Sequence, residues 1–255
     1  MILGGDIVIE LTEEEKVRFR RNIMIFGEEG QKKLKGSSAF ITRVGGLGGP
    51  VAVYLALAGI GKLVVAHGGV VDPSNMNRQL LMSYSAIGKP RIDCIVERLK
   101  ALNPFMELHA YGEDIAFDLD KTKKIVSEVD IAIACPPTFE ERFNLNKACV
   151  ELRKPLIEVA MYGMEGYITF IKPGITPCLA CLFPSPPRWS IPFPVLGSVS
   201  AMMGCIAATE AVKYITGYGS ILEGWMLHID TRNWEVRKVR VKRKLNCPVC
   251  GGIVV

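Results

Sequence analysis

The stretch that most restricts how this chain can fold is Ile41 to Pro50, "ITRVGGLGGP", a glycine-rich turn caught between two apolar runs. Ahead of it, "SAFITRV" reads as a short buried strand. Behind it, "PVAVYLALAGI" reads as a helix, with proline tolerated in the first turn, where its missing N–H costs nothing. "GKLVVAHGG" follows as a second strand, so the three pieces form a βαβ unit.

The same alternation continues. "AIGKPRIDCIVERLKALNP" has helical apolar spacing and stops at Asn103-Pro104; "MELHAYGED" is a strand, "TKKIVSEV" a helix and "DIAIAC" a buried strand. "FNLNKACVELR" is helical, "KPLIEVAMYG" and "GYITFIKPG" are strands, and "SVSAMMGCIAATEAVKYITG" is a long apolar helix ending at Gly217. "GWMLHIDTRN" and "WEVRKVRVKR" form an antiparallel hairpin. Before the βαβ unit, Thr12 and Glu15 make a capping box that starts a helix at Glu13, and a second short helix follows Gly27. The expected class is α/β: a Rossmann-like, mainly parallel sheet with helices on both faces and an antiparallel C-terminal extension. With 255 residues, 49% of them hydrophobic, one domain is expected over 1–255, opened by a helical segment over 1–37 and closed by a tail within 178–255. "PSPPRWSIPFP" is the one stretch expected to be a mobile loop.

Cysteine spacing supplies the strongest chemical signal. Four of the eight cysteines pair as "CLAC" (Cys178, Cys181) and "CPVC" (Cys247, Cys250). Each knuckle offers two thiolates, and two knuckles complete a tetrahedral Zn²⁺ site with no position left for water, so the metal is structural. Cys94, Cys135 and Cys149 fall on core elements, and Cys205 lies within the apolar helix. The net charge of +5 owes much to "VRKVRVKRKLN", where basic residues alternate with valines as on the solvent face of a strand, so no nucleic-acid partner is expected. No apolar run approaches the roughly 20 residues that span a bilayer, and no leader pattern opens the chain; a cytoplasmic protein without a membrane partner is expected.

Gly45, Gly46 and Gly48 would let backbone N–H groups approach phosphate at the positive end of a helix, although tight strand–helix packing accounts for the same glycines equally well. A dinucleotide is disfavoured, because the second strand ends in "AHGG" rather than in the acid that holds ribose hydroxyls.

The run from "IGKLVVAHGG" through "VVDPSNMNRQLL" to "LKALNP", with "FGEEGQKKL" before it and "GSVSAMMGCIAATEAVKYITG" after it, resembles the ubiquitin-activating-enzyme-like (ThiF-type) family. That family includes the molybdopterin-synthase and thiamine-pathway sulfur-carrier adenylyltransferases. The resemblance covers about Arg18 to Gly251, and its specific part is "SN-x-NRQ". It implies ATP-dependent adenylation of a carboxylate, with ATP and Mg²⁺ as substrates, and with Asn75, Arg78 and Gln79 at the nucleotide. It also implies a zinc clamp on the tail, and a homodimer in which Arg21 of "VRFRRNI" reaches across as an arginine finger. The acid would be a small molecule or the C-terminus of a carrier protein.

Departures from the family sharpen the expectation. Arg43 replaces the opening glycine, His67 and Gly69 replace two aspartates near the ribose, and Arg91 replaces the lysine after "GKP", with Lys89 nearby. Pro137 replaces a metal-binding aspartate, and Ser190 stands where thioester-forming members carry cysteine. Arg43 could meet phosphate, His67 could donate to ribose, and Asp72, Asp114 or Glu158 could supply the lost carboxylates. Serine offers no thiolate, so the expected reaction is adenylation without a thioester step, most similar to the members that act on a pyridinol carboxylate in iron-guanylylpyridinol cofactor assembly. The alternative is a catalytically degenerate subunit that binds a carrier protein or an active paralogue.

Overall fold

Residues 9–185 and 191–253 are described by a computed structural model. Ser190 and part of the proline-rich loop lie outside the described residues.

Eight strands make one sheet: β1 (Ser38–Thr42), β2 (Lys62–Ala66), β3 (Glu107–Tyr111), β4 (Ile131–Ala134), β5 (Leu156–Tyr162), β6 (Glu165–Ile171), β7 (Trp225–Asp230) and β8 (Glu235–Arg240). Their order is β3-β2-β1-β4-β5-β6-β7-β8. The first five are parallel, with Ser38 opposite Lys62 and Ala39 opposite Ile131, and every pairing from β5 to β8 is antiparallel. From β1 the chain crosses towards β2, whereas β4 crosses towards β5. The sequence direction therefore reverses between β1 and β4, and a crevice opens beyond their C-terminal ends, where open α/β sheets bind ligands.

The helices are α1 (Glu13–Arg18), α2 (Arg20–Lys35), α3 (Gly48–Ala58), α4 (Arg91–Leu102), α5 (Leu119–Ser127), α6 (Phe139–Glu151), α7 (Leu179–Leu182) and α8 (Gly197–Thr216). Strand side chains alternate between two cores. Ala39, Ile41, Leu63, Val65, Ile131 and Ile133 pack under α3, α4 and α8, while Phe40, Val64, Ala132 and Ala134 pack under α5, α6 and α7. Among the described residues no helix is long and apolar enough to cross a membrane.

The capping box at Thr12 is complete, with Glu15 N–H donating to Thr12 Oγ1 (3.2 Å) and Thr12 N–H donating to Glu15 Oε2 (2.7 Å). Gly27, at φ 72°, breaks α2 where the sequence places the boundary between two helices. The helix expected to run unbroken from Glu13 is also interrupted at Phe19, whose ring is buried so close to Gly59 that a Cβ there would lie 2.7 Å from it.

Helix α8 ends at Gly217 in the left-handed conformation, as expected. It lies close against the turn that starts α3, because a Cβ on Gly204 would fall 2.4 Å from Leu47 O and 3.0 Å from Pro50 Cβ. Gly204→Ala is expected to force the two helices apart and to cost about 1–3 kcal/mol, as overpacking does, lowering the urea midpoint with an unchanged m-value.

Candidate active site

The site begins where β1 ends. Arg43 has φ 60°, a backbone conformation that costs an ordinary residue about 1–2 kcal/mol. Its N–H donates to Ala66 O, and its own carbonyl accepts from Gly45 N–H, both at 2.8 Å. The substitution of glycine by arginine has thus kept the turn. The side chain supplies the compensation: Nε donates to Glu141 Oε1 at 2.6 Å, NH1 pairs with Asp114, and the guanidinium lies 5.7 Å from the centre of the Phe117 ring.

Three of the four glycines after Arg43 answer three different neighbours. A Cβ on Gly45 would crowd His67 Cε1 at 3.2 Å, and one on Gly46 would meet Arg78 Cγ at 2.9 Å and Ser200 Oγ at 3.1 Å. Gly48 lies beneath the turn, where a Cβ would be 2.6 Å from Arg43 O, and it does not line the crevice. It is a packing glycine in this turn.

The crevice holds a cavity of about 250 Å³ lined by Arg43, Gly45, Gly46, His67, Asn75, Arg78, Gln79 and Arg91. Residues 73–75 form a single 3₁₀ turn capped by Asp72, which places Asn75 Oδ1 where Arg91 Nε donates to it at 3.1 Å. Arg91 also donates to Gly68 O (3.3 Å) and contacts His67 Nε2 (3.5 Å). Arg78 donates to Ser74 O (2.9 Å) and Asn77 Oδ1 (2.8 Å). Neither Arg78 nor Arg91 makes an ion pair among the described residues. Partial burial pulls both guanidinium groups below their usual range, and Arg43 adds to the effect on Arg91.

Of the carboxylates that could have replaced the missing ones, none lines the cavity. Asp72 is exposed and caps its own turn, Asp114 is held by Arg43 and by Gly68 N–H, and Glu158 is wholly buried against Arg142 and Tyr167. Lys89 is exposed outside the cavity, and Arg21 is exposed on α2.

Sequence reasoning missed Arg142. It lines the cavity at 3% exposure, donates to Val159 O (2.8 Å) and pairs with Glu158, while its Nε has no partner. Gln79 Oε1 is another buried atom at the cavity without a partner. Pro137 and Cys135 complete the wall, and burial pushes the Cys135 thiol up to about 12, out of reach of thiolate chemistry at neutral pH. Met161, Ile191, Phe193 and Val195 form an apolar mouth.

The four knuckle cysteines converge at the other end of the sheet's second core, with their sulfurs within 4.8 Å of one another. Cys178 and Cys247 are 3.7 Å apart and Cys181 and Cys250 3.4 Å, close to the edge of about 3.8 Å that a tetrahedron with 2.3 Å metal–sulfur bonds requires. The donor set fits a four-thiolate metal site. Cys178 also caps a one-turn helix, α7, that the spacing alone does not announce. Arg243 secures the tail beside it, donating to Gly174 O (2.9 Å), to Ile253 O (2.6 Å) and to Cys250 O.

Three comparisons place this geometry. The ThiF family model matches residues 19–249. The heterocyst HesA protein of Trichormus variabilis is 44% identical over 247 residues, 96% of this chain and 92% of its own. The sulfur carrier protein adenylyltransferase of Thermus thermophilus is 35% identical over 252 residues, 94% of this chain and 92% of its own. The chain belongs to the ThiF family. Its fold also superimposes on E. coli MccB crystallised with ATP, with TM-score 0.82 and 24% identity, over 92% of this chain and 74% of that one.

His67 gives the site a pH signature. Burial, reinforced by Arg91 and Arg43, lowers it from 6.5 to about 4, so the folded chain holds it neutral. The unfolded chain takes up that proton first as pH falls. The corresponding stability, on the order of 3 kcal/mol, is full above about 6.5 and lost towards 4. Chemical denaturation of His67→Gln across this window is expected to lack that share of the wild-type loss.

Proposed function

We propose that this protein adenylates a carboxylate with ATP. A carboxylate oxygen of the substrate attacks the α-phosphorus and the bond from that phosphorus to the bridging oxygen breaks. Pyrophosphate leaves with the electron pair, and the acyl-adenylate remains. The observation that carries this reading is the pair of guanidinium groups, Arg78 and Arg91, that line the cavity beside a glycine turn and make no ion pair among the described residues. Fixed cations of this kind stabilise charge where it grows on phosphoryl oxygens. Asn75 and Gln79 complete the phosphate contacts, and Arg21 of a second copy would act as the finger in a homodimer.

The Thermus thermophilus relative is a sulfur carrier protein adenylyltransferase, but the mouth formed by Met161, Ile191 and Phe193 supports a small acid with a flat apolar body. Phe193 is stacked on Tyr162 with centroids 6.1 Å apart and planes 16° apart, a surface that suits an aromatic ring such as a pyridinol carboxylate. No thiolate step is included, since the cavity's own thiol, Cys135, is held protonated. That no carboxylate lines the cavity among the described residues favours one competing reading, a subunit that binds but does not catalyse.

Pyrophosphate release that depends on an added carboxylic acid separates the two. Arg78→Ala is expected to reduce it by about 100-fold or more, the scale of losing one preorganised donor to a developing oxyanion. Unchanged turnover would remove Arg78 from the mechanism, and no release with any acid would favour the binding subunit.

The cysteine cluster would hold Zn²⁺ as a structural clamp, because four soft thiolates in tetrahedral array suit that ion and close its coordination. Cys247→Ser is expected to lower zinc content measured by elemental analysis and to free the tail to proteolysis.

A further inference from the structure

We propose that the cavity recognises its nucleotide through the phosphate chain alone, with arginines standing where the family uses a protein-held divalent cation, so that ATP binds without magnesium. The inference rests on the adenylation reading and makes it more specific.

Magnesium demands a near-octahedral shell of hard oxygen donors, and proteins hold it through one or two carboxylates together with substrate phosphates. The residues here do not fit that ion. No aspartate or glutamate lines the cavity among the described residues, and residues 186–190 contain no acid. Pro137 occupies the position of the family's metal-binding aspartate, and a proline side chain offers no donor. Of the nearby carboxylates, Asp114 and Glu141 hold Arg43, Glu158 holds Arg142, and Asp72 is exposed outside the cavity lining and caps its own turn.

The opposite charge is available instead. Arg78 and Arg91 line the cavity half-buried and make no ion pair among the described residues, and a partly desolvated cation gains from an anion that reaches it. Arg142 Nε is a fully buried donor at the same wall with nothing to donate to. Metal-free ATP carries more negative charge than its magnesium complex, and a bound magnesium would meet repulsion from these guanidinium groups. At the sugar end, His67 and Gly69 leave no carboxylate to accept from ribose hydroxyls, so a 2′-deoxy sugar should lose little.

Calorimetric titration of the full chain tests this. Magnesium-free buffer without chelator keeps the cysteine cluster loaded. ATP, 2′-deoxy-ATP and tripolyphosphate are each titrated with and without millimolar MgCl₂. ATP and 2′-deoxy-ATP are expected to bind metal-free with affinities within about threefold of one another, and no more weakly than in magnesium. Tripolyphosphate is expected to compete with both. Arg91→Gln should weaken metal-free ATP by about tenfold or more, the loss of one charge-assisted hydrogen bond.

Pro137→Asp gives an independent check, because it restores the carboxylate. It should create a magnesium-dependent gain in ATP affinity that the wild type lacks. Binding that requires magnesium in the wild type would overturn the inference and leave adenylation standing. Absence of binding under every condition would overturn both.

Discussion

Everything at the centre of this molecule depends on how one cation is shared. Arg43 leaves β1 in a left-handed conformation that favours glycine, and it is held there by acids from two sides: Asp114 follows β3, and Glu141 belongs to α6 after β4. β3 and β4 lie on opposite sides of β1 in the sheet. The two ion pairs therefore tie together segments from both halves of the parallel sheet, across the crevice where its direction reverses. The shape of the glycine turn, the placement of Gly45 against His67 and of Gly46 against Arg78, follow from that anchor.

The same pairing explains why the cavity is so one-sided in charge. Asp114, Glu141 and Glu158 lie near it, and each is held by an arginine that lines it. What remains for a ligand is guanidinium, amide and backbone N–H, a set that attracts oxyanions and offers little to a hard cation.

Much of this was legible in the chain. Strand and helix periodicity, the capping box at Thr12 and the stop at Gly217 are local properties, and they led to the observed element order. The knuckles were legible because their spacing is itself the motif. About half of the cavity wall, from Arg43 to Arg91, came from one contiguous motif-bearing stretch. Arg142 was missed because its partner Glu158, and the Tyr167 hydroxyl that donates to Glu158 in turn, lie on strands separated from it in sequence, and no local pattern announces a buried network. The packing of Gly48 beneath Arg43 O was not legible for a related reason: which neighbour faces a glycine is set by the tertiary fold. The break at Phe19 likewise follows from a tertiary contact with Gly59.

The last strand carries a consequence of its own. All six residues of β8 are exposed, and it ends the sheet with Arg237, Lys238 and Arg240 along it, the latter two lying over Trp225. An open strand edge is a template on which foreign strands can add, the first step towards insoluble fibres. Crowding that margin with like charge makes the approach of another such edge repulsive, which gives the lattice of hydrogen bonds a place to stop.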